Sequence, residues 1–212
     1  MENSLSIAAR EICAHGPVVP VIVLEDAAQS KPLGQALIDG GVRVLEITLR
    51  TDAALDAIAE AATLSDAVVG AGTVLSKADI LDAKEAGATF AVSPGHNQEV
   101  IDAAKELNMP LLPGAITPSE VMNLRAQGFH MLKFFPANLA GGAPMIKAFG
   151  SVFSDVAFCP TGGVSEATAK DYLDLKNIAC VGGSWLAPKD AISNGRFDDI
   201  KALAKAASQL RS

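Results

Sequence analysis

Lys133 stands in the run Met131-Leu132-Lys133-Phe134-Phe135, a basic residue with apolar neighbours on both sides. Successive side chains of a strand face opposite ways, so residue 133 faces away from 132 and 134 and is expected to point inward. Burial penalises an ammonium, and the neutral amine it favours is a nucleophile toward carbonyl carbon. A lysine near a strand end ordinarily snorkels to solvent. What sets this one apart is the set of polar and glycine residues at the ends of other apolar runs. Glu46 and Arg50 lie four residues apart at the end of one run. Taken alone they read as a surface ion pair worth little. Beside an amine nucleophile they suit two tasks: a carboxylate that moves protons, and a guanidinium fork that grips a carboxylate through two hydrogen bonds. Two glycine pairs, Gly162-Gly163 and Gly182-Gly183, leave backbone N–H groups uncovered. That suits a phosphate, the more so if Val164-Ser165-Glu166 begins a helix.

Residues this scattered need a frame that gathers them. Eight apolar runs recur along the chain: 17–23, 42–48, 67–71, 89–93, 109–113, 131–135, 156–160 and 178–182. Most lack polar alternation, as expected of parallel strands covered on both faces, and their spacing averages about 23 residues. Helix-period segments lie between them. Ser76-Lys77-Ala78-Asp79 opens one that Ala86-Gly87 closes; residues 97–107 form another, and Thr117-Pro118-Ser119-Glu120 opens one that ends at Gly128. The expectation is a single-domain (β/α)8 barrel over residues 1–212 with an extra N-terminal helix, an open doubly wound sheet being the other arrangement that periodicity allows. In such a barrel the strands' carboxyl ends form the active rim. Glu46 to Arg50, Gly70 to Thr73, Ser93-Pro94-Gly95, Lys133, Thr161 to Gly163 and Gly182 to Ser184 all fall there.

Composition narrows the partners. Half the chain is apolar, enough for a full core without staples, and 17 Lys and Arg against 24 Asp and Glu leave a formal charge of -7. No basic cluster interrupts that balance, so nucleic acid is not an expected partner. The first residues read as a short amphipathic helix rather than a leader, and no run approaches the roughly 18 apolar residues of a membrane span; a cytoplasmic protein is expected. Cys13, Cys159 and Cys180 lack CxxC spacing and read as packing residues, and His15, His96 and His130 are too dispersed for a metal site. No GxGxxG, GxxxxGK[ST] or GxSxG occurs, which disfavours dinucleotide, nucleotide-triphosphate and serine-hydrolase chemistry.

Seven blocks, in order, carry a resemblance: EITLRT (46–51), GAGTV (70–74), SPG (93–95), PGAITPSE (113–120), LKFFPA (132–137), PTGGV (160–164) and VGGSW (181–185). From about Pro17 to Trp185 the chain closely resembles the 2-keto-3-deoxy-6-phosphogluconate (KDPG) aldolases, class I aldolases of the Entner–Doudoroff pathway. The resemblance implies a (β/α)8 barrel, a homotrimer, and cleavage of a phosphorylated 2-keto acid to pyruvate and glyceraldehyde 3-phosphate without metal or other cofactor. It also implies roles by motif. Lys133 would form the Schiff base and Glu46 would be the general acid/base. Arg50 and Thr73 would hold the pyruvyl carboxylate, with Pro94 and Phe135 lining the pocket. Thr161 would face the sugar hydroxyls, and Gly162, Gly163, Gly183 and Ser184 would cradle the phosphate.

Rival readings remain within and outside that class. The C4 epimer, 2-keto-3-deoxy-6-phosphogalactonate, or 4-hydroxy-2-ketoglutarate would use the same chemistry, Thr161 favouring the gluconate form through its hydroxyl. A phosphosugar isomerase or epimerase would account for the glycine turns but not for an apolar-flanked lysine. A non-catalytic phosphosugar-binding regulator would bind without forming pyruvate.

Overall fold

The structure is a computed structural model and describes residues 1–211. Strands and helices alternate. The strands are β1 (Val18–Ile22), β2 (Val44–Thr48), β3 (Val68–Gly72), β4 (Phe90–Val92), β5 (Leu111–Leu112), β6 (Met131–Phe134), β7 (Ala157–Pro160) and β8 (Val181–Gly183). The helices are α1 (Ser4–Cys13), α2 (Ser30–Asp39), α3 (Ala54–Ala62), α4 (Lys77–Glu85), α5 (Gln98–Glu106), α6 (Pro118–Ala126), α7 (Gly142–Val152), α8 (Glu166–Leu173), α9 (Lys189–Ser193) and α10 (Phe197–Ser208).

Local sequence accounts for the helix starts. Ser76 and Thr117 accept the N–H of Asp79 and Glu120, and those carboxylates bond back to the cap N–H groups, closing two capping boxes. Asn97 caps α5 through the N–H of Val100. Gly87 and Gly128 follow α4 and α6 at φ of 101° and 87°, a region that side chains other than glycine seldom enter.

The fold is α/β, with a curled, all-parallel sheet of six strands in the order β5-β4-β3-β2-β1-β8 and a parallel pair β6-β7. Single parallel bridges, Gly114 with Lys133 and Thr161 with Gly182, link the pair to the six-stranded sheet on either side. Two runs come out differently from the sequence expectation. β5 is only two residues long, because Pro110 and Pro113 flank it and lack the N–H that a longer ladder needs. β8 starts three residues later than its run, since Ile178 joins Phe158 in an isolated bridge before the regular pairing with β1 begins.

Strand alternation separates two buried clusters. Val18, Leu45, Ile47, Val69, Ala91, Leu111, Leu132, Phe134 and Phe158 meet the helices in one continuous core. Their alternates Val19, Val44, Phe90, Val92, Leu112, Met131 and Cys159 meet one another inside the curl, joined by Cys180 and by Ala9 and Cys13 of α1. Helix α1 therefore closes the amino end of the interior. Ser6 Oγ there accepts the N–H groups of His130 and Met131, at 2.9 and 3.0 Å, securing the start of β6. No helix among the described residues is long and apolar enough to cross a membrane.

Candidate active site

Lys133 and Glu46 lie on the inward face of β6 and β2, and their side chains meet. Nζ donates to Glu46 Oε1 at 3.1 Å, and both residues are almost wholly buried, at 5% and 2% exposed. The surface ion pair that Glu46 and Arg50 taken alone would suggest is not formed: the carboxylate turns inward to the lysine, while Arg50, two residues past β2, is exposed and forms no ion pair among the described residues. The pair is a buried amine–carboxylate contact.

The surroundings make room for that contact. A Cβ on Gly72 would fall against the carboxylate of Glu46, so glycine in β3 is what lets the acid lie across the interior. The Phe135 ring centroid is 5.5 Å from Lys133 Nζ, within cation–π range. Cys159 stands opposite Lys133 in the β6-β7 register, and the three cysteines are buried free thiols. The backbone of Lys133 is held on its other side by β5: its N–H donates to Pro113 O and its carbonyl accepts from Ala115 N, each at 2.9 Å.

Around the rim the structure brings most of the expected residues to the carboxyl ends of the strands. Thr73 follows β3 at φ 61°, where a β-branched residue is strained, a condition found mostly where surrounding structure imposes it for a purpose. Pro94 is half-buried after β4, in a turn that Ser93 Oγ closes by donating to Gly95 O at 2.5 Å. Thr161 is buried beyond β7, its Oγ1 3.8 Å from Cys159 Sγ, and the absence of a side chain on Gly182 leaves space for it.

Gly162 and Gly163 both have positive φ, 96° and 74°, and lead directly to Ser165, the N-cap of α8. The carbonyl of Gly162 accepts from Asn138 N at 3.0 Å, which fixes the turn against the β6-α7 loop. The Trp185 ring occupies the space a Cβ on Gly183 would need, and Ser184 beside it is exposed. The Gly162-Gly163 turn and the N-terminus of α8 thus lie beside the Gly182-Gly183 end of β8, with the Phe135, Asn138 and Trp185 side chains packed against Gly162, Gly163 and Gly183. The cavity of about 630 Å³ between Arg10, Asp155 and Lys176 is elsewhere, at the amino ends of the strands, and shares no residue with this rim.

Sequence reasoning missed two contributors. Gly72 appeared only within the Gly70-to-Thr73 end of the third run, although its place one strand over from Glu46, in the Glu46–Gly70 register, was the available signal. His96 was read only as too far from the other histidines for a metal site, and its position two residues after Pro94 was the signal there.

A buried amine–carboxylate pair is an arrangement suited to covalent chemistry on a carbonyl compound, and the comparisons with known proteins agree. Residues 9–203 match the family model described as KDPG and KHG aldolase. A 2-dehydro-3-deoxy-phosphogluconate aldolase of Pseudoalteromonas atlantica is 47% identical over 98% of this chain and 97% of its own length. A KHG/KDPG aldolase of Escherichia coli K12 is 49% identical over 94% of each chain. The crystal structure of a KDPG aldolase from Legionella pneumophila, with pyruvate captured as a covalent carbinolamine, superposes with a TM-score of 0.93 at 44% identity, covering 95% of this chain and 98% of that one. The chain belongs to the KDPG and KHG aldolase family.

Proposed function

We propose that this chain cleaves 2-dehydro-3-deoxy-6-phosphogluconate to pyruvate and D-glyceraldehyde 3-phosphate through a Schiff base on Lys133, and 4-hydroxy-2-oxoglutarate to pyruvate and glyoxylate by the same route. The observation that carries the reading is the buried Lys133–Glu46 contact at 3.1 Å in a chain of this family. Glu46 takes a proton from the Lys133 ammonium, and the freed amine adds to the C2 ketone. The proton returns from Glu46 as the carbinolamine loses water, leaving an iminium. Its positive nitrogen accepts the C3–C4 bonding electrons while Glu46 takes the C4 hydroxyl proton, so the aldehyde leaves and an enamine remains. Glu46 then protonates C3, and water addition and collapse of the second carbinolamine release pyruvate and restore the ion pair. Each transfer is one that a carboxylate beside the amine can make, directly or through one water.

The remaining roles follow from position. Arg50 and Thr73 grip the carboxylate beside Pro94 and Phe135, Thr161 meets the sugar hydroxyls, and Gly162, Gly163, Gly183 and Ser184 hold the phosphate. Gripping the substrate at both ends supports the orientation that cleavage needs. The two bridges that join β6-β7 to the six-stranded sheet support a closed (β/α)8 barrel, and the continuous core from Leu5 to Ala207 supports one domain. Exposed Leu75, Met122 and Leu139 leave apolar surface for the homotrimer that the family resemblance implies. Three buried free thiols and a phosphorylated substrate support a cytoplasmic setting.

The decisive experiment is incubation with pyruvate and borohydride followed by peptide mass analysis. Reduced imine at Lys133 is expected, and an unmodified Lys133 overturns the reading. A coupled pyruvate assay on both C4 epimers is expected to favour the gluconate form, and equal rates would remove the role given to Thr161. Ligand binding with no pyruvate formed would instead favour a non-catalytic binding protein.

A further inference from the structure

The geometry points to His96 as a positioning residue that holds the peptide next to the nucleophile, a role that rests on Lys133 being the Schiff-base lysine. His96 is half-buried just before α5, and Nδ1 lies 3.0 Å from the carbonyl oxygen of Gly114. A carbonyl only accepts, so Nδ1 carries the proton. In the neutral ring Nε2 is then an acceptor, and the side-chain amide of Asn123 on α6 donates to it at 3.3 Å. The imidazole is therefore fixed in one tautomer between a helix and the end of β5.

What it holds is the strand segment that positions Lys133. Gly114 N–H donates to Gly95 O at 3.1 Å, while its carbonyl receives the His96 N–H, so the loops 93–96 and 113–115 are tied reciprocally. The approach is so close that a Cβ on Gly114 would collide with the Pro94 carbonyl. The peptide groups on either side of Gly114 are the ones bonded to Lys133: Pro113 O accepts its N–H, and Ala115 N donates to its carbonyl. One side chain thus joins the Pro94 turn of the pyruvyl pocket to the backbone of the nucleophile. Without it Gly114 O loses its side-chain partner and the two loops keep only the Gly114 N–H to Gly95 O bond between them, so the amine and the keto-acid pocket are less firmly held to a common reference.

The test compares His96→Ala and His96→Asn, because the Asn amide nitrogen reaches the position of Nδ1 and restores the single N–H donor. For His96→Ala, kcat is expected to fall about tenfold or more, as a small misplacement of reacting groups does, with a smaller change in KM because the phosphate cradle is untouched. The rate of borohydride trapping with pyruvate should fall in parallel, and His96→Asn should recover most of both. Should the alanine variant not fold, His96→Phe, which keeps the ring's bulk without the donor, carries the same comparison. Wild-type kcat and trapping rate in the donor-less variant would overturn the inference, as would an Asn variant no better than Ala at equal Tm. Failure of the wild-type protein to trap pyruvate at Lys133 would overturn the nucleophile itself and this inference with it.

Discussion

Removing the charge of Glu46 tests the central pair most directly. In Glu46→Gln the shape is retained, but the Lys133 ammonium keeps an amide where it had a carboxylate at 3.1 Å. At the effective dielectric constant of about 20 that describes such sites, two unit charges at this distance attract by about 5 kcal/mol. Breaking a buried pair by removing one partner typically costs about 3–5 kcal/mol, so the two routes to a magnitude agree. In a domain of this size that corresponds to a fall in Tm of about 6–20 °C at pH 7. Lys133→Met strands the carboxylate in the same way. The double variant Glu46→Gln with Lys133→Met carries no buried charge and should be far more stable than the sum of the single losses predicts. The assay is urea unfolding of all four proteins at pH 7, read as a double-mutant cycle, with a coupling of about 3 kcal/mol or more expected. Additive single losses would show that the two groups do not share a buried contact. Pyruvate release by Glu46→Gln should fall by about 10²–10⁴-fold, and activity near wild type would remove Glu46 from the proton transfers.

Three further changes probe the frame around the pair. Gly72→Ala puts a Cβ where the Glu46 carboxylate lies, so a loss in kcat of about a hundredfold with the fold retained is expected in steady-state assays; unaltered kcat would refute the need for that space. Gly163→Ala forces φ 74° on a residue with a side chain and drives its Cβ into Asn138, so KM for the phosphorylated substrate should rise while borohydride trapping of unphosphorylated pyruvate stays near wild type. Glu120→Ala removes the reciprocal cap of α6. Burial raises the pKa of this carboxyl, but the N–H groups of Ile116 and Thr117 outweigh that and hold it below its ordinary value. The folded state therefore favours the ionised form, and its contribution is present above the ordinary carboxylate range and lost as pH falls through the lowered folded value. The variant should be about 1 kcal/mol less stable at pH 7, with the gap closing in acid, by urea unfolding at several pH values.

How far the site could be read from the residues depended on whether the interaction was local. Ser76 with Asp79, Thr117 with Glu120 and the glycines after α4 and α6 carry their geometry within a few residues, and those helix boundaries were legible. Apolar strand runs were legible for the same reason, except where prolines on both sides cut β5 to two residues and where Ile178 left the ladder early. Lys133 was legible because its oddity, a charge among apolar neighbours, is visible in a five-residue window. Glu46 was legible as the proton-moving carboxylate beside the amine, but its direct contact with Lys133 was not, because the two residues stand 87 positions apart and only strand alternation sends both into one interior. Alternation fixes a side chain's face, and only the curl of the sheet decides which inward residues meet. The same limit hid Gly72 and His96, each defined by what stands opposite rather than alongside. A glycine at a strand end and a histidine without a metal partner become parts of a site once the sheet brings Glu46 against one and Gly114 against the other.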